Sequence, residues 1–283
     1  MKRKKILNSF MLYLILCISG FIMLYPLLWM ITATFKTNAE ISEGISLLVK
    51  NPVTDGYRAL LNNYGGNINI FEAALNTFRY IIPKVIFTVA SGVLTAYGFS
   101  RFSFRLKKLL FALLISSMLI PDAVMTVPQF IMFSRLGWVD SPLYSALIVP
   151  SVFSFDAYFV FMLVQFMKGI PTELDDAARI DGCSSLQVLI HIITPVIKPA
   201  VLSCAVFQFI WTSNDYMGPL LYVNTPSRYP LSVFIRLAAD AETGFQYNRV
   251  LAASLFALLP SLTVFFLSQR SFTDGITAGA VKG

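Results

Sequence analysis

Residues 173–182 read Glu173-Leu174-Asp175-Asp176-Ala177-Ala178-Arg179-Ile180-Asp181-Gly182. This charged, helix-prone segment lies between two long apolar runs, where a chain with few charges has placed four acids and an arginine together. Pro171 ends the run before it. Thr172 stands as an N-cap with Asp175 three residues on, and Ser184 with Gln187 repeats the capping-box pattern. Glu173, Asp175 and Asp176 complement the dipole of a first helical turn. Gly182 falls where that helix must stop, and glycine accepts the positive φ of such a stop. The expectation is two short helices around a tight glycine turn. Leu174, Ala177 and Ala178 would form a small apolar face that another surface can approach closely. A plain connector packed beneath a helical bundle is the competing reading.

Outward from this loop the chain is apolar. Of 283 residues 56% are hydrophobic and only 13% charged, and phenylalanine alone contributes 25. A soluble domain carries nearer a quarter charged residues, so this composition indicates a membrane protein. Apolar runs fall at about 11–33, 78–99, 109–131, 143–167, 199–221 and 250–269, each near the length that a ~30 Å hydrocarbon core requires. The sequence therefore predicts an all-α integral membrane protein with six transmembrane helices. Pro83 lies early in the second run, and Pro121 and Pro128 lie in the third. Kinked third and fourth spans would suit a pathway-lining role, though passive kinks would look the same. Lys2-Arg3-Lys4-Lys5 ahead of the first run mimics a signal peptide, but the run is long enough to span and reads as an uncleaved anchor. Cys17, Cys183 and Cys204 do not pair by position and read as small apolar fillers.

Charge sets the orientation. With the N-terminus inside, inner segments hold Lys2, Arg3, Lys4, Lys5, Arg101, Arg105, Lys107, Lys108, Lys168, Arg179, Lys198, Arg270 and Lys282, thirteen of the 22 basic residues. The positive-inside rule then makes both termini cytoplasmic. The same placement explains the net charge of +7 without nucleic acid. Segments 36–77 and 222–249 become the large outer features, and neither is long enough for an independent core.

Several motifs carry a family resemblance. D-A-A at Asp176–Ala178, then Gly182 and Ile192-Ile193-Thr194-Pro195, resembles the EAA loop of bacterial ABC importer permeases. Asp176 and Thr194 stand where that family usually has Glu and Leu. Thr95–Arg101 (T-A-Y-G-F-S-R), Phe133–Ser141 (F-S-R-L-G-W-V-D-S), Trp211–Leu220 (W-T-S-N-D-Y-M-G-P-L) and Gly275–Gly283 (G-I-T-A-G-A-V-K-G) resemble its carbohydrate branch, of the maltose-permease-G-like kind. The resemblance covers roughly residues 70–283. It implies a type I ABC importer permease fold with a cytoplasmic coupling helix. Residues 1–70 would form the basic segment, first span and outer loop; 71–283 would form the transmembrane core, with the coupling loop at 171–198. It further implies that Glu173, Asp176, Ala177, Ala178, Arg179, Asp181, Gly182 and Pro195 dock a separate ATPase subunit, which binds the ATP and magnesium. The implied assembly has a second, homologous permease, two ATPase subunits and an extracytoplasmic solute-binding protein in a bacterial plasma membrane. The cargo is a sugar, most naturally an oligosaccharide.

Within the spans, Asp156, Asn214 and Asp215 are costly in hydrocarbon and should face water or the bundle interior. Gln208, Trp211 and Asp215 share a helix face by spacing. Carboxylates and an amide accept from sugar hydroxyls and tryptophan stacks on a ring, so these five residues are expected to line the substrate pathway. Hydrogen bonding to the partner permease is the alternative. In the outer segment, Arg228, Tyr229 and Arg236 are candidates for binding-protein contact, or for an ordinary solvated loop. No G-x-x-x-x-G-K-[ST] loop is present to cradle phosphates. His191 is the lone histidine, so metal and triad chemistry have little support. A secondary transporter would lack a reason for the capped D-A-A loop, and a membrane enzyme would need a clustered set of catalytic groups.

Overall fold

The computed structural model describes residues 2–62, 68–239 and 246–280, with side chains described for 9–62, 68–237, 239 and 246–269. The side chains of Lys2–Lys5, Arg270 and the Gly275–Gly283 tail, which carried orientation and resemblance readings, lie outside that set, as does all structure of Val281–Gly283. Helices make up the regular structure. Among the described residues, four helical stretches are long and apolar enough to cross a membrane, and two further bent pairs bring the number to six if each pair is one span. The chain divides into two compact units, residues 1–71 with 234–258, and residues 72–233 with 259–283.

The first unit contains α1 (Lys2–Ala33), α2 (Asn38–Glu43), α3 (Asp55–Leu60), residues 234–239 of the helix Leu231–Ala239 and the first turns of the last helix. The crossing length of α1, Ser9–Ala33, keeps none of its apolar window buried within the protein. Phe10, Tyr13, Phe21 and Met23 stand open on it, as a helix facing lipid or another chain allows. The chain after its C-terminal end is tied by polar groups: buried Lys36 donates to the Ser46 carbonyl at 2.5 Å. Buried Glu40 accepts from the Lys50 and Asn51 amides at 2.8 and 3.4 Å. Gly56 lets α3 meet the backbone of Asn248, since a Cβ there would stand 2.8 Å from the Asn248 carbonyl oxygen.

In the second unit, α4 (Ile70–Arg101) has 32 residues, about 48 Å at 1.5 Å per residue, longer than the hydrocarbon thickness. The third apolar run is not one rod. It forms α5 (Lys107–Ser117) and α6 (Asp122–Arg135), bent by 104° where Pro121 cannot donate to a continuing helix. The fourth run breaks into α7 (Ser145–Val152) and α8 (Ala157–Lys168), with Ser154 at φ +57° between them. The loop follows as α9 (Glu173–Ile180), α10 (Ser185–Gln187), π-helical turns over Val188–Ile193 and α11 (Thr194–Val196). Helix α12 (Lys198–Ser213) leaves it at 81°. The fifth run does not continue helical to 221 either: α12 stops at Ser213, and α13 (Met217–Tyr222) begins after a break. A 3-10 turn, Pro226–Arg228, leads to α14 (Leu231–Ala239), and α15 (Tyr247–Ala280) completes the chain.

Two apolar clusters hold this unit together. One joins Val93, Ala96 and Tyr97 of α4 to Phe159, Leu163 and Met167 of α8, and to Val188, Ile193, Ala200 and Cys204. The other joins Tyr80 and Ile81 of α4 to Phe133, Tyr144, Leu147, Tyr222 and Val223. The loop is thus packed onto the spans through its second half, whose Val188 and Ile193 are fully buried.

Candidate functional site

The coupling-loop candidate is built around two turns. At the end of α9, the Cys183 amide donates to the Ala178 carbonyl at 2.9 Å and the Gly182 amide to Arg179 at 3.0 Å, with Gly182 at φ +88°. That is the six-to-one and five-to-two pairing of a Schellman stop. The next helix starts with a complete capping box: Ser184 Oγ accepts from the Gln187 amide at 3.4 Å, and Gln187 Oε1 accepts from the Ser184 amide at 2.7 Å. The first expected box is absent. Thr172 makes no side-chain cap, and Asp175 is buried instead. Arg101, at the end of α4, explains the difference: its Nε lies 3.0 Å from Asp175 Oδ2, with each side chain only 4% exposed.

Burying Asp175 sets the helix orientation. Ala178, three residues on, turns the same way and is 7% exposed against the apolar cluster beneath. This corrects the expectation that Ala178 shares an outward face. The outward face is Leu174, Ala177 and Ile180, the last 87% exposed, joined by Glu173, Asp181 and Gly182. Arg179 and Asp176 are both well exposed, 3.7 Å apart. Pro195 is exposed in the first turn of α11. Here the Thr194 hydroxyl donates to the Leu189 carbonyl at 2.8 Å and occupies an acceptor within the π-helical turns. His191 is exposed, with Nδ1 3.2 Å from the Gln187 carbonyl.

The second candidate is a cavity of about 470 Å³ lined by α4, α6, α7, the break before α8, α12, the break after it and α13. It brings together Asp156, Gln208, Trp211 and Asp215, four of the five residues named for a pathway. Asp156 sits on the non-helical link ahead of α8, where its Oδ2 accepts from the Thr88 hydroxyl at 2.9 Å and from Gln208 Nε2 at 3.5 Å. Irregular backbone at membrane depth is tolerated where it lines such a cavity. Asp215 Oδ1 accepts from the Gly218 amide at 2.9 Å and so serves the first turn of α13. Trp211 is half exposed against Tyr158 and Phe159, whose ring centroids lie 5.1 Å away. Asn214 is exposed and does not line the cavity. Lys84 and Asp122 do. Lys84 had received no role, although an ionisable residue within a span is itself a signal of a functional position.

The turn that holds Arg228 and Tyr229 is braced from within. Asp140 accepts from the Asn224 and Thr225 amides at 2.9 Å each and from the Thr225 hydroxyl at 2.7 Å. Arg228 completes the cage, 2.8 Å from Asp140 Oδ2 and 2.7 Å from its carbonyl oxygen. Burial alone would raise the Asp140 carboxyl, but these donors and the guanidinium outweigh it and hold the group below its ordinary value. Tyr229 donates to the Asn224 carbonyl at 3.2 Å. Arg228 and Tyr229 therefore brace their own turn, while Arg236 is exposed on α14.

Residues 88–276, well over half of the chain, match the family model for the binding-protein-dependent transport system inner membrane component. The chain belongs to this family. Curated relatives align along nearly their whole length. The lactose transport system permease LacG of Rhizobium radiobacter is 26% identical, covering 95% of each chain. The galactooligosaccharides transport system permease GanQ of Bacillus subtilis is 29% identical, covering 100% of this chain and 99% of the relative. The trehalose/maltose transport system permease MalG of Thermococcus litoralis is 28% identical, covering 99% of each. Among solved structures, a chain of a bacterial ABC transporter involved in import of the acidic polysaccharide alginate superposes with a TM-score of 0.79 at 20% identity, covering 95% of this chain and 98% of that one. The fold is the all-α type I importer permease fold. The chain is a multi-pass membrane component of a transport system, not an enzyme.

Proposed function

We propose that this permease forms half of the translocation pathway of an ATP-driven, binding-protein-dependent importer whose cargo is a sugar, most naturally an oligosaccharide. Its partners are a second, homologous permease, two ATPase subunits that bind ATP and magnesium, and an extracytoplasmic solute-binding protein. Both termini lie on the cytoplasmic side of a bacterial plasma membrane, as the basic clusters favour. The reading is carried by one observation: α9 presents Leu174, Ala177 and Ile180 outward on a loop whose other side is packed into the spans. Such a lever transmits a push from a docked subunit. Relatives transporting lactose, galactooligosaccharides and trehalose or maltose support the sugar class. A cavity holding Trp211 with Asp156, Gln208 and Asp215 offers a stacking face and acceptors for hydroxyls.

In this mechanism, closure of the ATPase dimer displaces α9, and the spans rock so that the central cavity alternates between the two sides, with the binding region near the membrane midplane. Glu173, Asp176, Ala177, Arg179, Asp181, Gly182 and Pro195 shape the docking side, while Ala178 and Asp175 hold the loop to the bundle. Uptake of a panel of radiolabelled mono- and oligosaccharides by cells with and without the gene tests the cargo class. Loss of one saccharide's uptake on deletion, restored by the intact gene, is expected. Unchanged uptake of every saccharide together with loss of amino-acid or phosphate uptake would overturn it.

A further inference from the structure

The Arg101–Asp175 pair differs from the other ion pairs among the described residues. Those leave at least 21% of each side chain exposed, whereas both members of this pair are 4% exposed. Burying two charges is costly, and apolar residues of similar volume commonly hold a fold as well, so such a pair is poor evidence of stabilisation for its own sake. What it does supply is register. Arg101 sits in the last turn of α4, where a cation also complements the helix C-terminus. Its Nη2 donates to the Ile170 carbonyl at 3.0 Å, just beyond α8. One guanidinium thus ties three elements together: the end of α4, the end of α8 and the first turn of α9. The apolar contact beneath α9, centred on Ala178, is small and would let the helix slide or roll by itself. A 3.0 Å ionic contact between two side chains that are each only 4% exposed resists that motion.

We propose that Arg101 and Asp175 are the positioning residues of force transfer: they latch α9 to α4 and α8, so that displacement of the exposed Leu174–Ala177–Ile180 face moves those spans instead of pivoting the loop. The proposal rests on the coupling reading above. Both act through α9. Loss of the latch therefore uncouples hydrolysis from transport without preventing the ATPase from docking.

The test uses the complete transporter in proteoliposomes, with its own ATPase subunits and substrate-loaded binding protein. Photoreactive benzoylphenylalanine at position 180 reports docking, phosphate release reports hydrolysis, and labelled cargo reports transport. With Asp175→Asn, cross-linking from position 180 and basal hydrolysis are expected to persist. Stimulation by binding protein should fall at least about fivefold, the lower end of measured coupling between sites. The charge swap Arg101→Asp with Asp175→Arg should recover part of that stimulation, a readout that general destabilisation would not restore. Full stimulation in Asp175→Asn with cross-linking intact overturns the latch and leaves the coupling reading standing. Absence of any cross-link to the ATPase in the otherwise native complex overturns the coupling reading itself. Failure of both variants to assemble makes the pair a folding requirement and also overturns the latch.

Discussion

Replacement of Gly182 gives a graded test of the coupling turn. The residue is held at φ +88° by the two hydrogen bonds that stop α9, yet a Cβ built there meets no heavy atom within 4 Å. Any penalty is therefore conformational and not steric, which makes its size calculable from residue type alone. An L-residue in the left-handed region costs about 1–2 kcal/mol. Asparagine visits that region several-fold more readily than other non-glycine residues, and β-branched valine is the least suited to it. Gly182→Asn should cost a few tenths of a kcal/mol, Gly182→Ala about 1 and Gly182→Val about 2. A loss of one to two kcal/mol multiplies the open population of the turn by about 5 to 30. Amide exchange at residues 182–184, read by mass spectrometry on the assembled transporter, should accelerate in the order Gly, Asn, Ala, Val. Binding-protein-stimulated ATP hydrolysis should fall in the same order. Equal exchange in all four proteins would refute the argument, because it would mean that the turn imposes no backbone constraint.

Other consequences follow from single contacts. The Asp140 carboxyl is held below its unfolded value, so the cage contributes stability that is complete above the ordinary carboxylate range and is lost as pH falls through the folded value. Thermal melts from pH 7 downward should show that loss, and Asp140→Asn should flatten it. Gly56→Ala places a Cβ 2.8 Å from the Asn248 carbonyl oxygen and should destabilise by about 1–3 kcal/mol, as overpacking does, seen as a lowered melting temperature in detergent. Asp156→Asn retains an acceptor for Thr88 and should fold normally, but transport should weaken. Asn214→Ala, outside the cavity, should change the cargo KM little. Ala178→Trp should disrupt packing of the loop and complex assembly, whereas Ala177→Trp, on the exposed side, should leave the isolated permease's melting temperature unchanged.

Local signals in the sequence were read well where local chemistry decides the structure. Gly182 and the Ser184–Gln187 box depend on residues three or four apart, and both stand as read. Thr172 with Asp175 had the same local pattern and failed, because a cation 74 residues earlier, Arg101, claims the carboxylate. The bracing of Arg228 was illegible for the same reason: its partner, Asp140, is far away in the chain. Hydropathy located the apolar runs but not the interruptions at 118–121, 153–156 and 214–216, since the side chains there remain largely apolar or sit among apolar neighbours. Only Pro121 announced a bend. Gln208 and Trp211 lie on one face of α12 and line the cavity as their spacing predicts; Asn214 and Asp215 both lie beyond the end of α12, and of the two only Asp215 lines the cavity. The π-helical turns over Val188–Ile193 left no recognisable pattern beyond Thr194, whose hydroxyl bonds back to Leu189.

The central claim, that an ATPase drives cargo through this permease by way of α9, is tested most directly by uptake into proteoliposomes of the complete transporter. Labelled saccharide and its binding protein are supplied on the extracytoplasmic face. Uptake should require Mg-ATP on the coupling-loop side, persist when ion gradients are collapsed and fail in the Ala177→Trp protein. Uptake driven by an imposed ion gradient without nucleotide would contradict the account.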